Sequence, residues 1–171
     1  MPKKNEAHDL VIESLTDALL QIMEKKHLSE INISELCNRA GVSRISFYRN
    51  YSSLEDILVR HLVRCTDKWW IEFSQKEPDY FYQNFWVELL EQYRQNEILI
   101  KLLYAHNVSH IIKEHIFTCC GPSSVEEEKN AYARAILAGA LYGFIDEWIR
   151  RGMPELPPNF SFRTILSEFP S

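Results

Sequence analysis

Between Asp9 and His27 the apolar residues Val11, Ile12, Leu15, Ala18, Leu19, Ile22 and Met23 recur at intervals of three and four, with acids outside that stripe. The spacing predicts an amphipathic first helix. Ile31-Asn32-Ile33-Ser34-Glu35-Leu36 then carries the marks of a helix start, with Asn32 as N-cap, Glu35 at the capping-box position, and Ile31 and Leu36 placed as a hydrophobic staple. The second helix, from Ile33, is predicted to be short, because Gly41 after Ala40 suits the left-handed residue that ends a helix. Ser43 caps a third helix running from Arg44 to about Asn50.

Ser52 and Ser53 ahead of Leu54-Glu55-Asp56 mark a fourth start, with acids in the first turn where the helix dipole favours them. Leu54, Leu58, Leu62, Cys65, Trp69 and Phe73 continue as one stripe, so this helix is expected to reach about Lys76, short of Pro78. Helical patterns follow from Tyr80 to Tyr93 and from Ile98 to about Phe117, and Cys120-Gly121-Pro122-Ser123 reads as a loop. A long helix opening at Ser123-Ser124-Val125-Glu126-Glu127-Glu128 closes near Gly152 and Pro154, and Pro157 and Pro158 set off a short last helix from Phe160 to Phe169. No segment alternates convincingly with period two and no internal repeat is present. The expected fold is all-α with about nine helices, an N-terminal three-helix domain over residues 1–53 and a second helical domain over 54–171.

Composition narrows the class. At 171 residues, 46% hydrophobic and 25% charged, the chain suits one or two modest cored domains and excludes a large multidomain enzyme and a disordered or fibrous chain. The longest uncharged apolar stretch, Ala135 to Ile145, falls far short of the roughly 20 residues a membrane-spanning helix needs, so no membrane partner is expected. The N-terminus, Met1-Pro2-Lys3-Lys4, runs into polar residues with no apolar core or cleavage site, which predicts a cytoplasmic location. Cys37, Cys65, Cys119 and Cys120 contain no C-x-x-C pair and are read as reduced thiols.

Catalytic signatures are missing from the sequence: there is no G-x-S-x-G, no phosphate-cradling glycine loop, no H-E-x-x-H and no carboxylate pair distinct from solvated helix faces. The chain is not expected to be an enzyme. His106 and His110, four apart with Glu114 and His115 beyond, have a spacing open to metal ligation, but exposed or capping histidines are commoner, and no metal or cofactor is expected.

Two short helices joined by a glycine-containing turn behind a longer first helix make a helix-turn-helix arrangement, whose second short helix enters the DNA major groove. From Leu36 to Leu54 the chain has Arg39, Arg44 and Arg49 and no acid, as a phosphate-binding face requires. Phe47 and Tyr51, four apart, are expected to turn inward with Val42, leaving Arg44, Ile45, Ser46, Tyr48 and Arg49 outward. Arginine pairs with guanine edges or phosphate, serine with either, and an exposed isoleucine touches a thymine methyl. The net charge of −5 does not oppose this reading, since residues 1–64 hold 9 basic and 9 acidic side chains and the acid excess lies beyond them.

The run Ile33-Ser34-Glu35-Leu36-Cys37-Asn38-Arg39-Ala40-Gly41-Val42-Ser43-Arg44-Ile45-Ser46-Phe47-Tyr48-Arg49-Asn50-Tyr51 resembles the DNA-binding signature of the TetR family, in which Ala-Gly-Val-Ser precedes Phe-Tyr and an aromatic three residues on. The resemblance implies a homodimeric transcriptional regulator, a repressor on a palindromic DNA operator. Its DNA contacts would come from Asn32, Ser43, Arg44, Ile45, Ser46, Tyr48, Arg49 and Ser53. Ile45 stands where a small residue is common, and Leu54 replaces a common lysine and so removes one phosphate contact, while Ser53 and the helix's amide terminus remain to hold a phosphate.

The same resemblance implies a C-terminal domain that binds a small apolar or aromatic effector among Trp69, Phe73, Phe81, Phe85, Trp86, Tyr93 and Tyr104, residues that also fit an ordinary aromatic core. It implies a dimer interface built from the long helix and the last one, with Ile136, Ala140, Gly143, Phe144, Trp148 and Phe162. The segment from Phe144 to Pro154 is similar to a C-terminal type found in a subgroup that includes dihydroxyacetone-kinase regulators. Ile45 and Leu54 leave an alternative open, a co-regulator of the same fold that acts through a protein partner with weak or no operator binding of its own.

Overall fold

Short apolar periods and well-placed caps convert most of the chain into helix. The computed structural model describes residues 4–123 and 128–155, with the side chains of residues 4–6 and 81–82 outside that description. Its elements are α1 (Lys4–Met23), a single 3-10 turn (Leu28–Glu30), α2 (Ile33–Ala40), α3 (Arg44–Asn50), α4 (Leu54–Phe73), α5 (Pro78–Gln95), α6 (Glu97–Ala105), α7 (His110–Cys120) and α8 (Glu128–Arg150). Among the described residues there is no strand, and no helix is long and apolar enough to cross a membrane. The protein is therefore all-α over its described length. The last helix expected from Phe160 to Phe169 lies outside the described residues.

The chain divides into two compact units: residues up to Cys65 together with Ile98–His115, and Thr66–Glu97 together with the chain from Ile116. In the first, α1 packs chiefly on α2 and α3. Its core is built from Leu15 and Leu19 of α1, Leu36 of α2, Phe47 of α3, Ile57, Leu58 and Leu62 of α4, Ile100 and Leu103 of α6, and Ile111 and Ile112 of α7. In the second, Phe73, Leu90, Tyr93, Ala138, Ile145 and Trp148 are buried.

Caps set the short elements. Asn32 Oδ1 accepts the Glu35 N–H at 2.9 Å, and Gly41 closes α2 at φ 67°, with the Val42 N–H reaching back to the Cys37 carbonyl at 3.0 Å. Ser43 Oγ accepts the Ser46 N–H at 3.1 Å and starts α3. The capping box expected at Asn32 and Glu35 does not form, because the Glu35 carboxylate is taken by Lys26. A capping box sits one element earlier, where the Glu30 carboxylate accepts the His27 N–H at 3.1 Å.

Three further expectations are corrected. The segment from Ile98 to Phe117 is not one helix but two, broken where Asn107 adopts φ 58° between α6 and α7. Buried His106 lies at that break and bonds the end of α1: its Nδ1 accepts the Leu28 N–H at 3.0 Å, so the proton is on Nε2, which donates to the Met23 carbonyl at 3.0 Å. α4 ends at Phe73 instead of about Lys76, whose N–H turns back to the Phe73 carbonyl at 3.0 Å. α5 opens at Pro78, where a missing N–H is harmless, two residues ahead of the expected Tyr80.

Candidate nucleic-acid interface

The turn between α2 and α3 is set by two local devices, the left-handed Gly41 and the Ser43 cap, and together they aim α3. One face of α3 is anchored: Phe47 is fully buried and Tyr51, just past its end, is 3% exposed, their rings 6.2 Å apart. The opposite face is open, with Ile45 73% and Tyr48 55% exposed and Arg44 and Arg49 also exposed. Ser43 and Ser46 share a hydroxyl contact at 3.0 Å, and the Asn50 amide caps back onto the Ser46 carbonyl at 2.7 Å.

The arginines divide by partner. Arg39 is tied to α1 through Gln21 Oε1 at 2.7 Å. Arg44 and Arg49 make no hydrogen bond or ion pair with the described residues, so their guanidinium donors face solvent unneutralised. Five donors in a rigid fork on each suit phosphate or a guanine edge. Burial pushes the Cys37 thiol up despite the nearby charge of Arg44, which keeps that cysteine an inert core thiol.

At the start of α4 the geometry is more self-contained than a phosphate seat needs. Ser53 Oγ accepts the Asp56 N–H at 3.0 Å, and Asp56 in turn accepts the Ser52 N–H at 2.9 Å and pairs with Arg60 at 2.8 Å. Burial works against the charged form of Asp56, but the Arg60 hydrogen bond and charge and the Ser52 contacts outweigh it, and the carboxyl is held below its ordinary value. A negative charge thus stands one turn from Ser53. Asn32 is exposed, with its side-chain oxygen committed to the α2 cap.

Sequence reasoning passed over a half-open cleft of about 440 Å³ at the C-terminal end of α3, lined by His8 and Ile12 of α1, Arg49, Asn50 and Tyr51, and Arg60, Val63 and Arg64 of α4. The available signal was the i, i+4 pair Arg60 and Arg64 with apolar Val63 between them.

In the second unit the aromatic residues form a mutually packed cluster. Trp69 stacks on Phe73 at 5.2 Å, Phe85 lies 6.2 Å from Phe73 and 5.5 Å edge-on to Trp86, and Trp86 meets Phe144 edge-on at 5.2 Å. The Trp69 indole N–H is buried with no hydrogen-bond partner among the described residues. Tyr93 is buried beside Cys119 and Cys120, and burial above all pushes its phenol well up. Tyr104, grouped with these rings on sequence grounds, belongs to the first unit, and Phe81 lies outside the described side chains.

Of the expected interface residues on α8, Ile136 is 72% exposed, Gly143 is exposed and Ala140 is half-buried. Tyr132 and Leu137 add to the exposed apolar face. Trp148 is instead buried in its own unit, its Nε1–H donating to the Pro154 carbonyl at 2.8 Å and the Arg94 guanidinium lying 5.8 Å from its ring. Phe162 lies outside the described residues.

His106 and His110 are on opposite sides of the break at Asn107, and His110 lies 3.8 Å from Glu55. Among the described residues no group of three or more His, Cys, Asp or Glu side chains is arranged to hold a metal ion. None of the four cysteines is in a disulfide, and the Cys119 thiol is pushed up by partial burial and by its neighbours Cys120 and Asp67. Comparison with protein-family models finds no match, and comparisons with curated proteins and with solved structures find none either.

Proposed function

We propose that the protein is a homodimeric DNA-binding transcriptional regulator of the TetR type, a repressor that reads a palindromic operator by placing α3 of each subunit in successive major grooves. The observation that carries this reading is the division of α3 itself: Phe47 and Tyr51 buried on one side, and Arg44, Ile45, Tyr48 and Arg49 exposed on the other, with neither arginine paired to a carboxylate among the described residues. A two-fold operator needs a two-fold protein, and the exposed apolar face of α8 supports one. Modulation by a small aromatic effector among Trp69, Phe73, Phe85 and Trp86 is supported by the Trp69 N–H, which has no partner among the described residues and which a hydrogen-bond acceptor on such a ligand would satisfy.

Selection from a random duplex library with the purified protein at near-physiological salt tests the proposal. A palindrome is expected to be enriched, and Arg44→Ala with Tyr48→Ala is expected to abolish the enrichment while leaving the oligomeric state unchanged. One observation favours a second reading: Ile45 and Tyr48 together put an exposed apolar patch on the face that would meet DNA. A folded dimer that enriches no motif is the outcome that selects this reading, a co-regulator using α3 on a protein partner.

A further inference from the structure

The cleft beside α3 combines two properties. It is basic, with Arg49, Arg60 and Arg64 on its walls and His8 among its lining residues. Arg60 is neutralised by Asp56. Among the described residues Arg49 makes no hydrogen bond or ion pair and Arg64 donates only to the uncharged Thr16 hydroxyl at 3.3 Å, so neither charge meets a described carboxylate. It is also apolar between those charges, where Ile12, Val63 and the Tyr51 ring contribute.

We propose that this cleft binds a small organic oxyanion, a carboxylate or phosphate monoester carried on an apolar body. The oxyanion pairs with the Arg49 fork and is shared with Arg64, the geometry in which arginine is most selective for such groups. The apolar body lies against Ile12, Val63 and the Tyr51 ring. At about 440 Å³ the space suits a molecule of one or two rings. A duplex phosphate is the less suitable occupant, because it brings no apolar body to Ile12 and Val63.

Occupation of the cleft does not depend on operator reading, and a chain that enriched no duplex would still bind such an anion. The test is titration of the full chain with benzoate and with phenyl phosphate, followed by calorimetry and by the backbone amide resonances of Ile12, Asn50 and Val63. Saturable binding by at least one of the two anions, with shifts at those three amides, is expected, together with no binding of benzylamine. Arg49→Gln should weaken binding about tenfold or more, the loss of a bidentate charged contact. Arg64→Gln, which removes the second charge on the cleft wall, should weaken it by about threefold to tenfold with the fold intact.

Equal affinity in both variants, or no saturable shift with either anion, overturns the proposal. So does binding of inorganic phosphate as tight as that of phenyl phosphate, since the apolar walls would then contribute nothing. If a short duplex shifts Ile12 and Val63 and the small anions do not, the cleft is a DNA backbone contact and the assignment fails.

Discussion

Single side chains decide more of the first unit than their number suggests. His106 satisfies two backbone groups on the far side of the chain at once, the Leu28 N–H and the Met23 carbonyl. His106→Leu keeps much of the volume and leaves both groups buried and unpaired, at about 1–3 kcal/mol each. A loss of about 3 kcal/mol in urea unfolding is expected, and a loss below about 1 kcal/mol would show that the imidazole only fills space. His61 makes a different contribution. Burial first and the charge of Arg64 second hold its imidazole below the ordinary value, with Asp17 pulling the other way. The folded state therefore favours neutral His61. Its contribution is fully present above the unfolded value of about 6.5 and is lost as pH falls through the lowered folded value. Between about pH 7.5 and about pH 5.5 the urea midpoint should fall, and it should fall less in His61→Gln. Identical slopes in the two proteins would assign the pH response to other groups.

At the scale of elements, α2, α3 and the turn between them were the most legible part of the sequence, because their limits are set by residues with strong local preferences. Asn32, Gly41 and Ser43 each act within four residues of themselves, and α2 and α3 fall where those residues put them. The inward and outward sides of α3 were legible for a similar reason, since two aromatics four apart can share only one face. The break between α6 and α7 was hidden. Apolar periodicity runs through it without interruption, and what bends the chain is a tertiary hydrogen bond from His106 to residues some 80 positions earlier, with Asn107 merely tolerant of the left-handed conformation it must take. Glu35 misled in the same way, its local capping role losing to a charge on Lys26. The cleft was illegible because it needs α1, α3 and α4 assembled. Local control of the turn makes a clean prediction. A Cβ on Gly41 would meet nothing within 4 Å, so Gly41→Ala is strained by its φ of 67° alone, at about 1–2 kcal/mol. Ser43→Ala should lose about 1 kcal/mol of capping. Unfolding midpoints read both, and a neutral Gly41→Ala would mean that the turn relaxes to another conformation.

For the whole molecule, the two glycines within α8 pose a question that one chain cannot answer. Gly139 and Gly143 lie in a helix interior, where each is less favourable than alanine by about 0.5–1 kcal/mol, and a Cβ on either would meet no atom within 4 Å. In an isolated subunit, then, they are simply weak points, and Gly139→Ala with Gly143→Ala should stabilise it by about 1–2 kcal/mol. Beside exposed Tyr132, Ile136 and Leu137 they acquire a second meaning, since missing side chains let two helix backbones approach closely. If α8 faces its own copy in the proposed dimer, the added methyl groups separate the helices. The double variant should then unfold at a higher denaturant concentration as a monomer yet dissociate as a dimer at about tenfold higher protein concentration, the two effects having opposite sign. Gly143→Arg should give monomers in sedimentation experiments, and with them a steep loss of affinity for any palindromic duplex although α3 is untouched, because each reading helix would then bind its half-site alone. A double alanine variant that gains stability without weakening the dimer, or a Gly143→Arg protein that sediments as a dimer, would place the two-fold axis on another face, and α8 would then owe its glycines to nothing the single chain contains.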